Sequence, residues 1–250
     1  MIKSVTRRVV GEEIYLSLHE MRVRIRYWWR LMIGADPRFS KDCFVPIEAH
    51  GEWHLCPIGL NPSSIVYSLG IGKDITFDMS VISRFGARIH AFDPTPTAMA
   101  WLSEQILPPH FNALPLGIAA YDGTAVFSPP DDPVNPSYAF HGRSGEGIIS
   151  GATVVCEVRR LSTLMRELGH SQIDLLKMDI EGAEYEVIQD LTEAGVSVKQ
   201  LLVEFHHRKP GIGPKKTCQA VAQLRRAGFK LFHISSSGQE MAFIRNNIEG

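Results

Sequence analysis

Ile65-Val66-Tyr67-Ser68-Leu69 runs straight into Gly70-Ile71-Gly72-Lys73-Asp74, and Arg88-Ile89-His90-Ala91-Phe92 runs into Asp93-Pro94. Each is a short, mainly apolar run that reads as a buried strand. Glycine after a strand lets the backbone turn tightly and approach a bound group, because no Cβ stands in the way. An acid at the end of the second strand, about 20 residues after the glycines, is placed to accept hydrogen bonds from both hydroxyls of a ribose. Capping the following helix is the plainer use of such an acid. A pyrophosphate-cradling loop needs a third glycine at position 75, where this chain has Ile75. Residues 65–94 therefore read as one side of a cleft for an adenosyl group. Its candidate contacts are Ser68, Gly70, Gly72, Asp74, Phe92 and Asp93.

Outward from this stretch, strand-like and helix-like segments alternate. Strands are expected over 65–69, 88–92, 111–116, 173–178, 198–205, 229–234 and 241–245, and helices over 75–85, 97–107, 183–191 and 215–227. This alternation predicts an α/β fold of the Rossmann-like kind, a mainly parallel seven-stranded sheet with helices on both faces. The last two strands are separated only by a short SSSGQ link, which predicts a C-terminal antiparallel hairpin. Residues 119–160 break the pattern with many Gly, Pro, Asp and Ser residues between two strand-like flanks, 124–127 and 153–158. A loop of that length in a compact domain is usually functional or mobile. Its segment 128–151 is a candidate lid, with Tyr138, Phe140, His141 and Arg143 available to an acceptor. Just before it, the small residues of Leu116–Gly123 suit either an adenine contact at Ala119 or a plain turn at Asp122-Gly123.

The N-terminal part differs. Ile14, Leu18, Met21, Ile25, Trp28 and Met32 recur at steps of four and three, which puts them on one stripe of an amphipathic helix. Arg22, Arg24, Arg26 and Arg30 lie on its other faces, and Gly34 and Pro37 end it. The stripe needs a cover: the main domain, a second copy of the chain in a homodimer, or an anionic lipid interface. Residues 37–62 read as a connector, which divides the chain into an extension over 1–62 and a Rossmann-like domain over 63–250. The 250 residues, 44% hydrophobic and 21% charged, suit a globular α/β domain and argue against wholesale disorder. A formal net charge of −1 lacks the cationic excess a nucleic-acid binder needs. No secretory leader or membrane-spanning run is evident, and the four cysteines form no CxxC pair, so a cytoplasmic protein with free thiols is expected.

The segment Asp174-Leu175-Leu176-Lys177-Met178-Asp179-Ile180-Glu181-Gly182-Ala183-Glu184 delivers two acids to the carboxyl end of a buried strand, where open α/β sheets bind ligands. Here the chain resembles the FkbM-type methyltransferases, a branch of the S-adenosylmethionine-dependent Rossmann-like enzymes. KMDIEGAEYEVI is similar to that family's characteristic block. RRLSTLMREL before it, LLVEFH after it, HAFDPTP and SLGIGKD match neighbouring segments. Many of these enzymes begin the glycine turn with an acid, where this chain has Ser68.

The resemblance implies S-adenosylmethionine as cofactor and methyl transfer, commonly to a hydroxyl of a small molecule or sugar. It places Asp179 at the reacting centre and beside the cofactor. Glu204 and His206, on the neighbouring strand end, are further catalytic candidates; His206 is a possible general base because its ordinary pKa lies near neutrality. Glu181 and His207 are candidate acceptor contacts. Asp179, Glu181, Glu204 and His206 are also ligand types for a divalent metal, but no motif fixes one, and none is assigned. His50, His54 and Cys56 lack a fourth partner at zinc-like spacing. Two other readings compete with methyl transfer: a nicotinamide-dependent oxidoreductase, which the missing third glycine disfavours, and a non-catalytic binding protein that keeps the fold.

Overall fold

The structure is a computed structural model that describes residues 12–129, 138–143 and 153–245. Helix α1 (Glu12–Met32) precedes a short antiparallel hairpin, β1 (Glu48–His50) and β2 (Trp53–Leu55). The alternating part opens with β3 (Ile65–Leu69), α2 (Thr76–Phe85), β4 (Arg88–Phe92), α3 (Pro96–Leu102) and β5 (Phe111–Leu114). An insertion then carries β6 (Gly117–Ile118), β7 (Gly123–Ser128), β8 (Ala139–Arg143) and β9 (Val154–Arg159). The chain returns through α4 (Leu161–Leu168), β10 (Ile173–Met178), α5 (Glu184–Glu193), β11 (Val198–Glu204), α6 (Gly213–Arg226), β12 (Phe229–Ile234) and β13 (Glu240–Arg245).

The main sheet has seven strands in the order β12-β13-β11-β10-β3-β4-β5. All neighbours are parallel except β13, which runs antiparallel to both β11 and β12. The expected α/β architecture and its C-terminal hairpin are therefore present. Strands covered on both faces need apolar side chains in both directions. Along β3, Val66 joins the core under α2 and the N-terminal hairpin, while Tyr67 joins the core under α4, α5 and α6. Strand order reverses between β3 and β10, the place where an open α/β sheet forms a ligand crevice beyond its carboxyl ends.

Several boundaries differ from expectation. The helix expected over 97–107 ends at Leu102. Ser103 Oγ donates back to the Ala100 carbonyl at 2.7 Å, closing the last turn, and Pro108 disfavours helical backbone at the residue before it. The strand expected over 111–116 splits: β5 stops at Leu114, and Gly117–Ile118 joins a separate four-stranded sheet, β6-β9-β7-β8, built by the insertion.

The apolar stripe of α1 is not packed on the main domain. Met21, Ile25, Trp28 and Met32 are exposed, Trp28 to 67%; the side chain of Ile14 lies outside the described residues. The helix meets the domain through another face, where Tyr27 lies against Gly238 so closely that a Cβ there would come 2.1 Å from its ring. No described helix is long and apolar enough to cross a membrane.

The connector is docked rather than loose. Gln200 on β11 clamps the backbone of Cys56, accepting from its N–H at 3.0 Å and donating to its carbonyl at 2.7 Å. Asp42 takes both Arg225 and the Leu231 N–H.

Candidate active site

The cleft forms where the ends of β3 and β10 press together. Gly70 has φ +71°, and a Cβ on it would lie 1.7 Å from the Asp179 carbonyl oxygen, so only glycine fits. The buried Lys177 of β10 ties the turn down, its Nζ donating to the Gly70 carbonyl at 2.7 Å and lying 5.2 Å over the Trp53 ring. Ser68 is fully buried behind the cleft wall, against Asp78 of α2, which lines the cleft. Asp78 is the acid that stands behind the glycine turn. Burial pushes the Asp78 carboxyl up to about 6, against the attraction of Lys177.

Asp93 is a structural hub as well as a cleft residue. Its Oδ2 accepts the Gly72 N–H at 2.9 Å, and its Oδ1 accepts the Thr95 N–H at 2.9 Å and the Thr95 hydroxyl at 2.6 Å. The helix-start use and the cleft use thus coexist in one carboxylate. Asp74 lines the cleft too, with Oδ1 accepting the Thr76 N–H at the start of α2. Two expected contacts lie elsewhere. Phe92 points from β4 into the core, its ring 5.1 Å from that of Tyr67. Ala119 is buried in the core of the smaller sheet, while Gly117 and Ile118 face the cleft in its place.

At the other end of the same cleft, of about 290 Å³, stand Asp179, Glu181 and Glu204. Glu181 is held in left-handed backbone, φ +59°, an uncommon conformation for a residue with a side chain. The fully buried Glu184 secures this turn by accepting the N–H groups of Ile180 and Gly182. The same carboxylate meets Nδ1 of His206 at 2.8 Å. Nε2 of His206 lies 3.3 Å from Glu181 Oε2 and 3.7 Å from Asp179 Oδ1. Lys209 pairs with Glu181, and Lys177 stands 4.0 Å from Asp179 Oδ2.

Crowded acids raise one another's proton affinity. Burial first, then the charge of Asp179, pushes Glu204 up to about 8; burial also raises Asp179. Burial disfavours the imidazolium of His206, but Glu184, Glu181 and Glu204 outweigh it and push His206 up to about 9. In this arrangement His206 enters as a cation, not as the base its residue type suggests. The next residue points the other way. His207 Nε2 lies 3.2 Å from the buried carboxylate of Asp36, which also takes Arg30 and Arg208, so His207 is a structural residue and not an acceptor contact.

Tyr138 and Phe140 reach the cleft, while His141 and Arg143 line an adjoining pocket with Lys209 and Glu181. Most of the candidate lid, residues 130–137 and 144–151, lies outside the described residues. His50, His54 and Cys56 do not converge: His50 bonds Ser80, His54 stacks on His233, and Cys56 is buried against Gln200. Glu52 and Trp53, in the stretch read from sequence as a connector, line the cleft and were missed. Lys177 was the available signal at this wall, a cation inside an apolar strand that needs a partner.

A seven-stranded sheet of this order, with a glycine turn and an acid on successive strand ends, is the Rossmann-like fold of class I methyltransferases. Within that class the chain belongs to the FkbM methyltransferase family: the family model "Methyltransferase FkbM domain" matches residues 64–231. It is 26% identical over 178 residues to "Probable methyltransferase-like protein 24" of Rattus norvegicus, covering 67% of this chain and 42% of that protein. The protein of the same description from Homo sapiens is 26% identical over 184 residues, covering 69% and 43%. The chain thus spans less than half the length of these relatives. Among solved structures, Aeropyrum pernix fibrillarin in complex with S-adenosyl-L-methionine is similar at TM-score 0.40 and 12% identity, over 74% of this chain and 66% of that one.

Proposed function

We propose that the chain is an S-adenosylmethionine-dependent methyltransferase acting on a hydroxyl of a small molecule or sugar. The observation that carries this reading is a single cleft with Asp93 braced on Gly72 at one end and Asp179, Glu181 and Glu204 at the other. A carboxylate offers about four acceptor sites. The Gly72 and Thr95 bonds fill three in Asp93, which leaves one for a ribose hydroxyl rather than two. Bound S-adenosylmethionine supplies an electrophilic methyl group on a positively charged sulfur, a charge that suits the acidic end.

The chain's own residues then have distinct tasks. Gly70 and Gly72 let the backbone approach the cofactor, and Phe127, Tyr138 and Phe140 give the cleft an aromatic wall that excludes water. Asp179 and Glu204 orient the acceptor hydroxyl, and Glu204 in its ionised form takes its proton, so that the oxygen meets the methyl in line. Arg143, His141 and Lys209 in the adjoining pocket offer hydrogen-bond donors to a polyhydroxylated acceptor.

Incubation with methyl-tritiated S-adenosylmethionine and a panel of sugars and small hydroxylated compounds tests this. Label should enter at least one hydroxyl, and Glu204→Gln should slow transfer by about 10²- to 10⁴-fold. Cofactor binding without transfer to any panel member, in wild type and variant alike, would favour a binding protein instead.

A further inference from the structure

We propose that Asp179, Glu181 and His206 form a site for one divalent first-row transition ion at the acidic end of the cleft. One donor atom from each residue lies within 4.8 Å of the other two. Metal–donor bonds of about 2.1 Å at a tetrahedral angle put neighbouring donors about 3.4 Å apart. The distances from His206 Nε2 to Glu181 Oε2 and Asp179 Oδ1, 3.3 and 3.7 Å, bracket that spacing.

Three further observations point to a ligand rather than to a closed ion-pair network. Asp179 Oδ1 is buried and accepts no hydrogen bond, an unfavourable state for a carboxylate oxygen that a cation would relieve. His206, with a side chain only 8% exposed, is oriented by the fully buried Glu184, which meets Nδ1 at 2.8 Å and leaves Nε2 aimed at the two acids. A carboxylate on the far nitrogen is how metal-bound histidines are usually held. Glu184 also fixes the strained Glu181 turn through the Ile180 and Gly182 N–H groups, so one buried side chain positions two of the three donors. Backbone strain of this kind persists where the surrounding structure imposes it, commonly at ligand sites.

The donor set selects the ion. Two carboxylates with one imidazole suit manganese, iron, cobalt or zinc, whereas magnesium and calcium prefer oxygen alone. The ion would take the place of the Nε2 proton of His206. Asp179 and Glu181 line the cleft, so the remaining coordination positions face the acceptor and suit one of its oxygens. Only this last step rests on the methyl-transfer reading.

The test is to strip the full chain with chelator and titrate it with Co²⁺, following the visible d–d bands and the heat. One Co²⁺ per chain is expected, with Asp179→Asn and Glu181→Gln each weakening it at least about tenfold and Glu184→Gln about 10- to 100-fold. Glu181→Gln is the informative variant if the buried changes unfold the chain, which circular dichroism reports. Absence of d–d bands and heat at millimolar Co²⁺, or binding unchanged in Glu181→Gln, would overturn the site and leave an internal ion-pair network. A separate titration of the stripped chain with S-adenosylhomocysteine distinguishes the two failures. Cobalt without cofactor product sinks the methyl-transfer reading alone; cofactor product without cobalt sinks the metal site alone.

Discussion

Asp78 shows how one buried side chain couples the cleft to pH. It is 1% exposed, beside Ser68 and Lys177, with Asp74 adding a like charge nearby. The folded chain keeps its proton up to about 6, whereas an unfolded aspartate releases it near about 3.9. Between those values the folded state binds more protons than the unfolded one, so this residue lowers stability as pH rises through roughly 4 to 6. Asp78→Asn removes that slope. Urea unfolding should show the variant gaining on wild type between pH 4 and pH 7, by as much as about 3 kcal/mol. A difference that does not change with pH would contradict the assignment. At this scale the sequence was legible where a residue ends a strand and illegible one step earlier. Gly70, Asp93 and Asp179 line the cleft, but Phe92 directly precedes such a position, and alternation sends its side chain into packed protein. His206 and His207 repeat the lesson, because adjacency in sequence put them on opposite sides of one strand end.

Among the elements, the N-terminal hairpin matters most for the site. Its Trp53 meets Lys177, and its docking depends on Gln200, whose buried amide satisfies both the N–H and the carbonyl of Cys56. Gln200→Ala would leave those two backbone groups buried and unpaired, at about 1–3 kcal/mol each. Thermal and urea unfolding should report a loss of at least about 2 kcal/mol, and a loss below about 0.5 kcal/mol would show that the hairpin is not held in this way. Long strands buried on both faces, such as Ile173–Met178, announce themselves as apolar runs. Three-residue strands have no period to read, and β1 and β2 pair only through their own turn. The four-stranded sheet was half legible, through its two apolar flanks, while β8 lay hidden in a Gly- and Pro-rich stretch. The exposed stripe of α1 follows its expected helical spacing, but spacing alone does not name what covers it.

For the whole molecule, the strand order carries the functional argument. It brings Gly70 and Asp179, 109 positions apart, to within contact at the point where the sheet reverses direction. Alternation of strands and helices made this architecture readable, and the Asp179 block gave the family. The convergence of Glu184, His206 and Glu181 was not readable, because it joins a turn, a helix start and the next strand end through side chains alone. The direct measurement of the central claim is calorimetric titration of the full chain with S-adenosylhomocysteine, in wild type and Asp93→Ala. One site per chain is expected, weakened about 10- to 100-fold by loss of the Asp93 carboxylate. No binding at millimolar ligand, or NADH binding in its place, would contradict it.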